Sequence, residues 1–166
     1  TRSATGKMGI LAAENSFHGK TLGALSATGN KEYQESFGVP ISGFDYVKYG
    51  DLDALENKLQ ENPDKYAAFL LEPIQGEGGI ITPPASYLKK AKKLCHEYNV
   101  FLVLDEVQTG LGRTGSLFAF EKEQVQPDIF LLAKALGGGI FPIGACISSG
   151  DIYNEKFANN VTRLAE

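Results

Sequence analysis

Short apolar runs recur along this chain with helix-patterned stretches between them, and that alternation constrains its fold more than any other feature. The runs "GILAA" (9–13), "FDYVKY" (44–49), "YAAFLLE" (66–72), "VFLVLDEV" (100–107), "DIFLLA" (128–133) and "GACISS" (144–149) each read as a strand. Helices are expected at "TLGALSATG" (21–29), at "LDALENKLQEN" (52–62) and at "PASYLKKAKKLCHEYN" (84–99). In the second, Leu52, Leu55 and Leu59 recur at helical spacing behind an Asp51 cap, and Pro63 ends the run. In the third, Tyr87, Leu88, Ala91 and Leu94 share the inner face. Strands alternating with helices in this way build a three-layer α/β fold around a mostly parallel sheet. The link "KALGGGIFPI" is too short for a crossover helix, so the sixth strand is expected to run antiparallel to the fifth. A chain of 166 residues supports one domain with a substantial core.

In open α/β sheets, ligands bind beyond the carboxyl ends of the strands. Those ends here carry "ENSFHGKT", "EPIQGEGG", "DEVQTG" and "AKALGGG", which gather Phe17, His18, Lys20, Glu72, Gln75, Glu77, Asp105, Glu106, Gln108 and Lys134 on one edge. Two familiar patterns on this edge fail on inspection. Gly110, Gly112 and Gly115 spell G-x-G-x-x-G, but Asp105 to Thr109 separate them from the strand, and the next strand ends in Ala133 and Lys134 without the acid a ribose needs. Gly19-Lys20-Thr21 resembles the end of a triphosphate loop, yet Glu14 stands where the loop's first glycine belongs.

What remains is an aspartate at the tip of one buried strand and a lysine at the tip of the next. A lysine amine condenses with an aldehyde to form a Schiff base, and the glycines at 137, 138 and 139 leave room for a bulky adduct against backbone. A carboxylate facing a pyridine nitrogen keeps it protonated, so that the ring accepts electrons from a breaking C–H bond. Lys134 and Asp105 therefore suit pyridoxal phosphate. The alternative for this pair is a structural ion pair at the sheet edge. Each neighbour has an alternative too: Phe17 as a core aromatic, His18 as a packing or loop-capping residue, Glu72 as a backbone hydrogen-bond acceptor in its own loop. Glu106 is expected to face away from Asp105, because adjacent strand residues point to opposite sides.

"LLEPIQGEGG", "LDEVQTGLGRTG" and "LAKALGGG" together resemble the class III, ornithine-aminotransferase-like group of pyridoxal-phosphate enzymes, in that group's order and over essentially the whole chain. The resemblance implies the large domain of the aspartate-aminotransferase fold (fold type I), with residues 1–166 as an incomplete pyridoxal-phosphate-binding domain, and a homodimer for the full-length protein. It assigns Lys134 as the Schiff-base lysine and catalytic base, Asp105 as the partner of the pyridine nitrogen, Gln108 as the residue near the phenolic oxygen and Phe17 as the aromatic over the ring. His18 joins the cofactor-binding set. Glu77 matches a glutamate that pairs with an arginine and moves aside for a carboxylate substrate. The group's phosphate-binding turn precedes the stretch matched here, while its partner-subunit threonine and carboxylate-binding arginine follow it. Together with the abrupt ends "TRSATG" and "VTRLAE", this predicts an excised piece of a longer protein.

Within the group, "FHGKTLGALSATGN" with "PIGACIS" looks most like the putrescine (diamine) aminotransferases. Relatives acting on acetylornithine or ornithine generally carry arginine after "FHG", a planar fork for the α-carboxylate; Lys20 stands there in this chain. The reaction implied moves the terminal amine of a diamine or ω-amino acid to a 2-oxo acid such as 2-oxoglutarate. An acetylornithine, ornithine or 4-aminobutyrate aminotransferase is the alternative, and a catalytically inactive fragment or scaffold the alternative of another class.

Other partners are disfavoured. A net charge of -4 offers no basic field for nucleic acid, and the apolar runs are far shorter than the ~20 residues of a membrane helix. No metal is expected, because Cys95 and Cys146 make no ligand spacing with His18 and His96; both cysteines are expected to be reduced packing residues. The absence of a basic-then-apolar leader makes the cytoplasm the default compartment.

Overall fold

The computed structural model describes residues 1–153. Six strands, β1 (Gly9–Ala13), β2 (Phe44–Val47), β3 (Tyr66–Leu71), β4 (Phe101–Asp105), β5 (Ile129–Leu132) and β6 (Ala145–Ser148), form one sheet in the order β2-β1-β3-β4-β5-β6. All neighbouring pairs are parallel except β5 with β6, which pairs antiparallel with Leu132 opposite Ala145. The strands are those expected from the apolar runs: β1 matches its run, and the other five are shorter than theirs. Five α-helices that lie wholly within the described residues accompany them: α1 (Arg2–Thr5), α2 (Leu22–Ala27), α3 (Lys31–Glu35), α4 (Leu52–Glu61) and α5 (Tyr87–Glu97). The expected domain runs on to residue 166, beyond the described residues.

The helix signals act as local chemistry predicts. Asp51 accepts the Ala54 N–H at 3.0 Å, a cap that contributes on the order of 1 kcal/mol to starting α4. The Leu55 and Leu59 side chains are buried beneath the helix, with Leu52 at the margin. On α5 the inner face is Tyr87, Leu88, Ala91 and Cys95, while Leu94 is only partly buried. These side chains meet Leu11, Phe69, Leu71, Leu102 and Leu104, which project from one face of the sheet. The opposite face carries a smaller cluster of Ala68, Val103 and Ile129, edged by the partly buried Ile10, Leu70 and Leu131.

Two expectations are corrected. Cys95 is a core residue whose thiol burial pushes up to about 12, but Cys146 is exposed on the last strand, where the sheet ends and nothing described covers its side chain. A helix beyond the three expected ones follows α2: Asn30 accepts the Glu32 N–H at 3.0 Å and starts the short helix α3.

Strand order places the functional edge. The chain steps from β1 outward to β2, then crosses back over β1 to β3, so the loops after β1 and β3 leave in opposite directions and open a crevice between them. No helix of the described residues is long and apolar enough to cross a membrane.

Candidate active site

The crevice receives one side chain set from each of four strand ends. The loop after β1 brings Phe17 and His18, the loop after β3 brings Glu72, Gly76 and Glu77, the tip of β4 brings Asp105 with Gln108 just beyond, and the end of β5 brings Lys134. Together they line a cavity of about 220 Å³.

Asp105 is the last residue of β4 and is 5% exposed, so each carboxylate oxygen needs a partner. Oδ1 accepts the Val107 N–H at 3.0 Å. Oδ2 lies 2.8 Å from His18 Nδ1; a carboxylate only accepts, so Nδ1 carries the proton and donates. The His18 side chain is 2% exposed, and its Nε2 is buried with no hydrogen-bond partner among the described residues. His18 therefore does more than cap its loop: it fixes the orientation of the Asp105 carboxylate.

Glu72 fixes the position of the loops. Its Oε2 accepts the Phe17 N–H at 3.1 Å and its Oε1 the Gly76 N–H at 3.2 Å, tying the loop after β1 to the loop after β3. Burial raises its carboxyl above the ordinary value, an effect that His18 and the two N–H donors oppose and nearby Asp105 reinforces. Gly76 sits so close to Gln108 that a Cβ would come within 3.3 Å of the glutamine Cγ, so the loop backbone packs directly on that side chain.

A raised carboxyl favours the folded state at low pH. The contribution of Glu72 is fully present below the ordinary value of 4.5 and is lost as pH rises through the higher folded value. Glu72→Gln has no such loss. Its melting temperature relative to wild type is therefore expected to climb from pH 4 to pH 8, on top of a constant cost for the second N–H acceptor it lacks. Paired melting curves across that range check this, and a flat difference would show that Glu72 ionises as it does in the unfolded chain.

Lys134 begins a short 3-10 turn, Lys134–Gly137, and adopts φ +45, a left-handed conformation that a residue with a side chain takes only when its surroundings impose it. Its ammonium donates to Gln108 Oε1. The ion pair between Asp105 and Lys134 is thus not formed among the described residues; each has another partner. Glu106 turns away as alternation requires, with Oε2 accepting the Thr109 hydroxyl at 2.5 Å and Oε1 the Phe120 N–H at 3.0 Å. The glycine-rich stretch that follows opens no helix on its third glycine: Gly110 donates back to Glu106 at 2.8 Å and the chain continues in turns.

Lys20 stands outside this cavity. It lines a second, larger one of about 580 Å³, which shares Phe17, Glu77 and Lys134 with the first. Sequence reading missed what walls its far side: Glu32, Tyr33 and Phe37. The available signal was an aromatic pair, Tyr33 and Phe37, at helical spacing in an otherwise polar stretch. The Tyr33 ring meets Phe17 edge to face at 6.1 Å between centroids, so α3 buttresses the aromatic that borders both cavities.

These groups fit pyridoxal phosphate by their chemistry. Asp105 is a buried carboxylate for a ring N–H, and His18 and the Val107 N–H leave it one orientation. Gln108 and Lys134 supply an amide and an amine side by side at the cavity wall, and Phe17 offers an aromatic surface.

The model of the aminotransferase class-III family matches residues 1–160. An ornithine aminotransferase structure from Toxoplasma gondii, with partial occupancy of pyridoxal phosphate at its active site, superposes with a TM-score of 0.83 at 41% identity, over 89% of this chain and 35% of that one. The omega transaminase from Pseudomonas jessenii in complex with pyridoxamine phosphate gives a TM-score of 0.88 at 32% identity, over 95% of this chain and 39% of that one. This chain thus spans little more than a third of the structures it matches. Family model, sheet order and strand-end residues agree: the chain belongs to the class-III aminotransferases.

Proposed function

We propose that this chain is the pyridoxal-phosphate-binding part of the large domain of an aminotransferase that moves the terminal amine of a diamine or ω-amino acid to a 2-oxo acid such as 2-oxoglutarate. The observation that supports it most is the convergence of Lys134, Gln108, Asp105, His18 and Phe17 from three strand ends on one cavity. The bound cofactor supplies an aldehyde that takes up the amine and a ring that withdraws electrons from the substrate carbon.

The chain's own residues do the rest. Asp105 holds a proton at the ring nitrogen, and His18 keeps the carboxylate pointed there. Gln108 holds the Lys134 ammonium at the cavity wall, and its amide would be available as a donor to the ring oxygen of a bound cofactor. Lys134 would hold the cofactor, and its free amine would serve as the base for the proton on the substrate carbon. Phe17 shields the ring face from water. Glu77 and Lys20 stand where the body of the amine donor enters, and the complete protein is a homodimer.

A second reading, an ornithine or acetylornithine donor, draws on the 41% identity to the Toxoplasma gondii enzyme. Lys20 separates the two. A lysine is a point charge on a flexible stem and does not reproduce the two parallel hydrogen bonds of an arginine fork to an α-carboxylate. In the complete enzyme, 1,4-diaminobutane or 1,5-diaminopentane is expected to exceed acetylornithine in kcat/KM, and Lys20→Arg to move that ratio toward the amino acid by about tenfold. A tenfold preference of the wild type for acetylornithine would replace the diamine reading with the second one.

A further inference from the structure

The large cavity beside Lys134 is walled on its far side by Glu32, Tyr33 and Phe37, none of which the proposed chemistry uses. Tyr33 and Phe37 are 42% and 69% exposed, although both are large and apolar, and they border a cavity instead of scattering over the surface. An apolar surface of this kind gains most when a ligand's hydrocarbon stem covers it. Charged groups of both signs line the same cavity. Glu32 and Glu77 supply two carboxylates and Lys20 and Lys134 two ammonium groups, of which Lys134 is held by Gln108, while Glu32 adjoins Tyr33 on α3. The faces of Tyr33 and Phe37 are negative in their quadrupole, and so they favour a cation.

The wall is built to keep this arrangement. The Asn30 cap fixes the first turn of α3 by accepting the Glu32 N–H, so the Glu32 side chain leaves from a set backbone position. The edge-to-face contact with Phe17 ties Tyr33 to the cavity that holds Asp105 and Lys134. The cavity therefore brings together the lysine amine, an aromatic wall and a carboxylate on a capped helix.

We infer that Glu32, with Tyr33 and Phe37, forms the subsite that receives the far end of the amine donor, and that it selects a second ammonium group there. This rests on the aminotransferase reading and narrows its donor to α,ω-diamines. The methylene stem lies along Phe17 and Phe37, the distal ammonium meets the Glu32 carboxylate beside the Tyr33 ring, and a terminal carboxylate is repelled by Glu32.

The test compares donors of equal length in the complete enzyme carrying this chain: 1,4-diaminobutane, n-butylamine and 4-aminobutyrate, each in wild type and Glu32→Gln. The glutamine keeps the size and the backbone cap, and circular dichroism checks the fold. Glu32→Gln is expected to lower the kcat/KM ratio of diaminobutane to butylamine by about tenfold, through KM more than kcat, and Glu32→Lys to shift preference to 4-aminobutyrate. Calorimetric titration of the cofactor-free protein with 1,4-diaminobutane supplies a readout independent of turnover, and the same variant is expected to weaken that binding. A wild type that favours the diamine while Glu32→Gln leaves the ratio and the titration within twofold would overturn the subsite and leave the diamine reading standing. A wild type that uses butylamine or 4-aminobutyrate better than the diamine would overturn the diamine reading, and the subsite with it.

Discussion

Lys134→Ala in the complete enzyme is expected to abolish covalent attachment of pyridoxal phosphate and to lower turnover by at least about a thousandfold, the scale of removing a positioned proton-transfer group. The fold is expected to survive. Lys134 is exposed, its one described hydrogen bond is to Gln108, and no core contact depends on it. Its φ of +45 is already borne by a residue with a Cβ, so alanine adds no new backbone strain. Reduction of the wild type with borohydride followed by peptide mapping is expected to place the cofactor on Lys134 alone. A reduced linkage on any other lysine would falsify the assignment.

Asp105→Asn is the sharper probe of electronics because it leaves the packing in place. An asparagine still accepts the Val107 N–H through its oxygen, while its NH2 faces His18 Nδ1 and drives the histidine to the tautomer protonated on Nε2. An amide does not hold a ring nitrogen protonated. Losing a charge-assisted hydrogen bond of about 3 kcal/mol in the transition state slows the reaction on the order of a hundredfold. Cofactor attachment at Lys134 is expected to persist, so absorbance and rate separate from each other. A variant within threefold of wild type would mean that Asp105 does not face the ring.

How much of this was legible in the sequence varies by element. Asp105 and Lys134 stood out because each ends an apolar run, and a charged group at that place lies at the mouth of the sheet whatever the strand order. Gln108 and Phe17 were assigned roles only through the resemblance to the class III group. His18 was ambiguous, because nothing local distinguishes a histidine that caps its own loop from one that holds a carboxylate 87 positions away. Glu72 was visible as a loop acceptor, but not as the link between two loops, since its Phe17 partner lies 55 positions earlier. Helix α3 is not among the expected helices because its five residues are too few to show a helical period, whereas the Asn30 cap suffices for a single turn.

The sequence by itself determined the alternation of strands and helices, the antiparallel last strand and the set of reactive groups at the strand ends. Those features depend on period, on link length and on residues a few positions apart, and short-range sterics and hydrogen bonding act over that range. Only the tertiary structure decided which strand ends are neighbours, that Lys134 pairs with Gln108 and not with Asp105, that Cys146 is exposed, and that α3 closes a second cavity. The order β2-β1-β3-β4-β5-β6 is set by which faces pack best once all the elements exist together. Every contact across the crevice inherits that order, so none of them leaves a local trace in the chain.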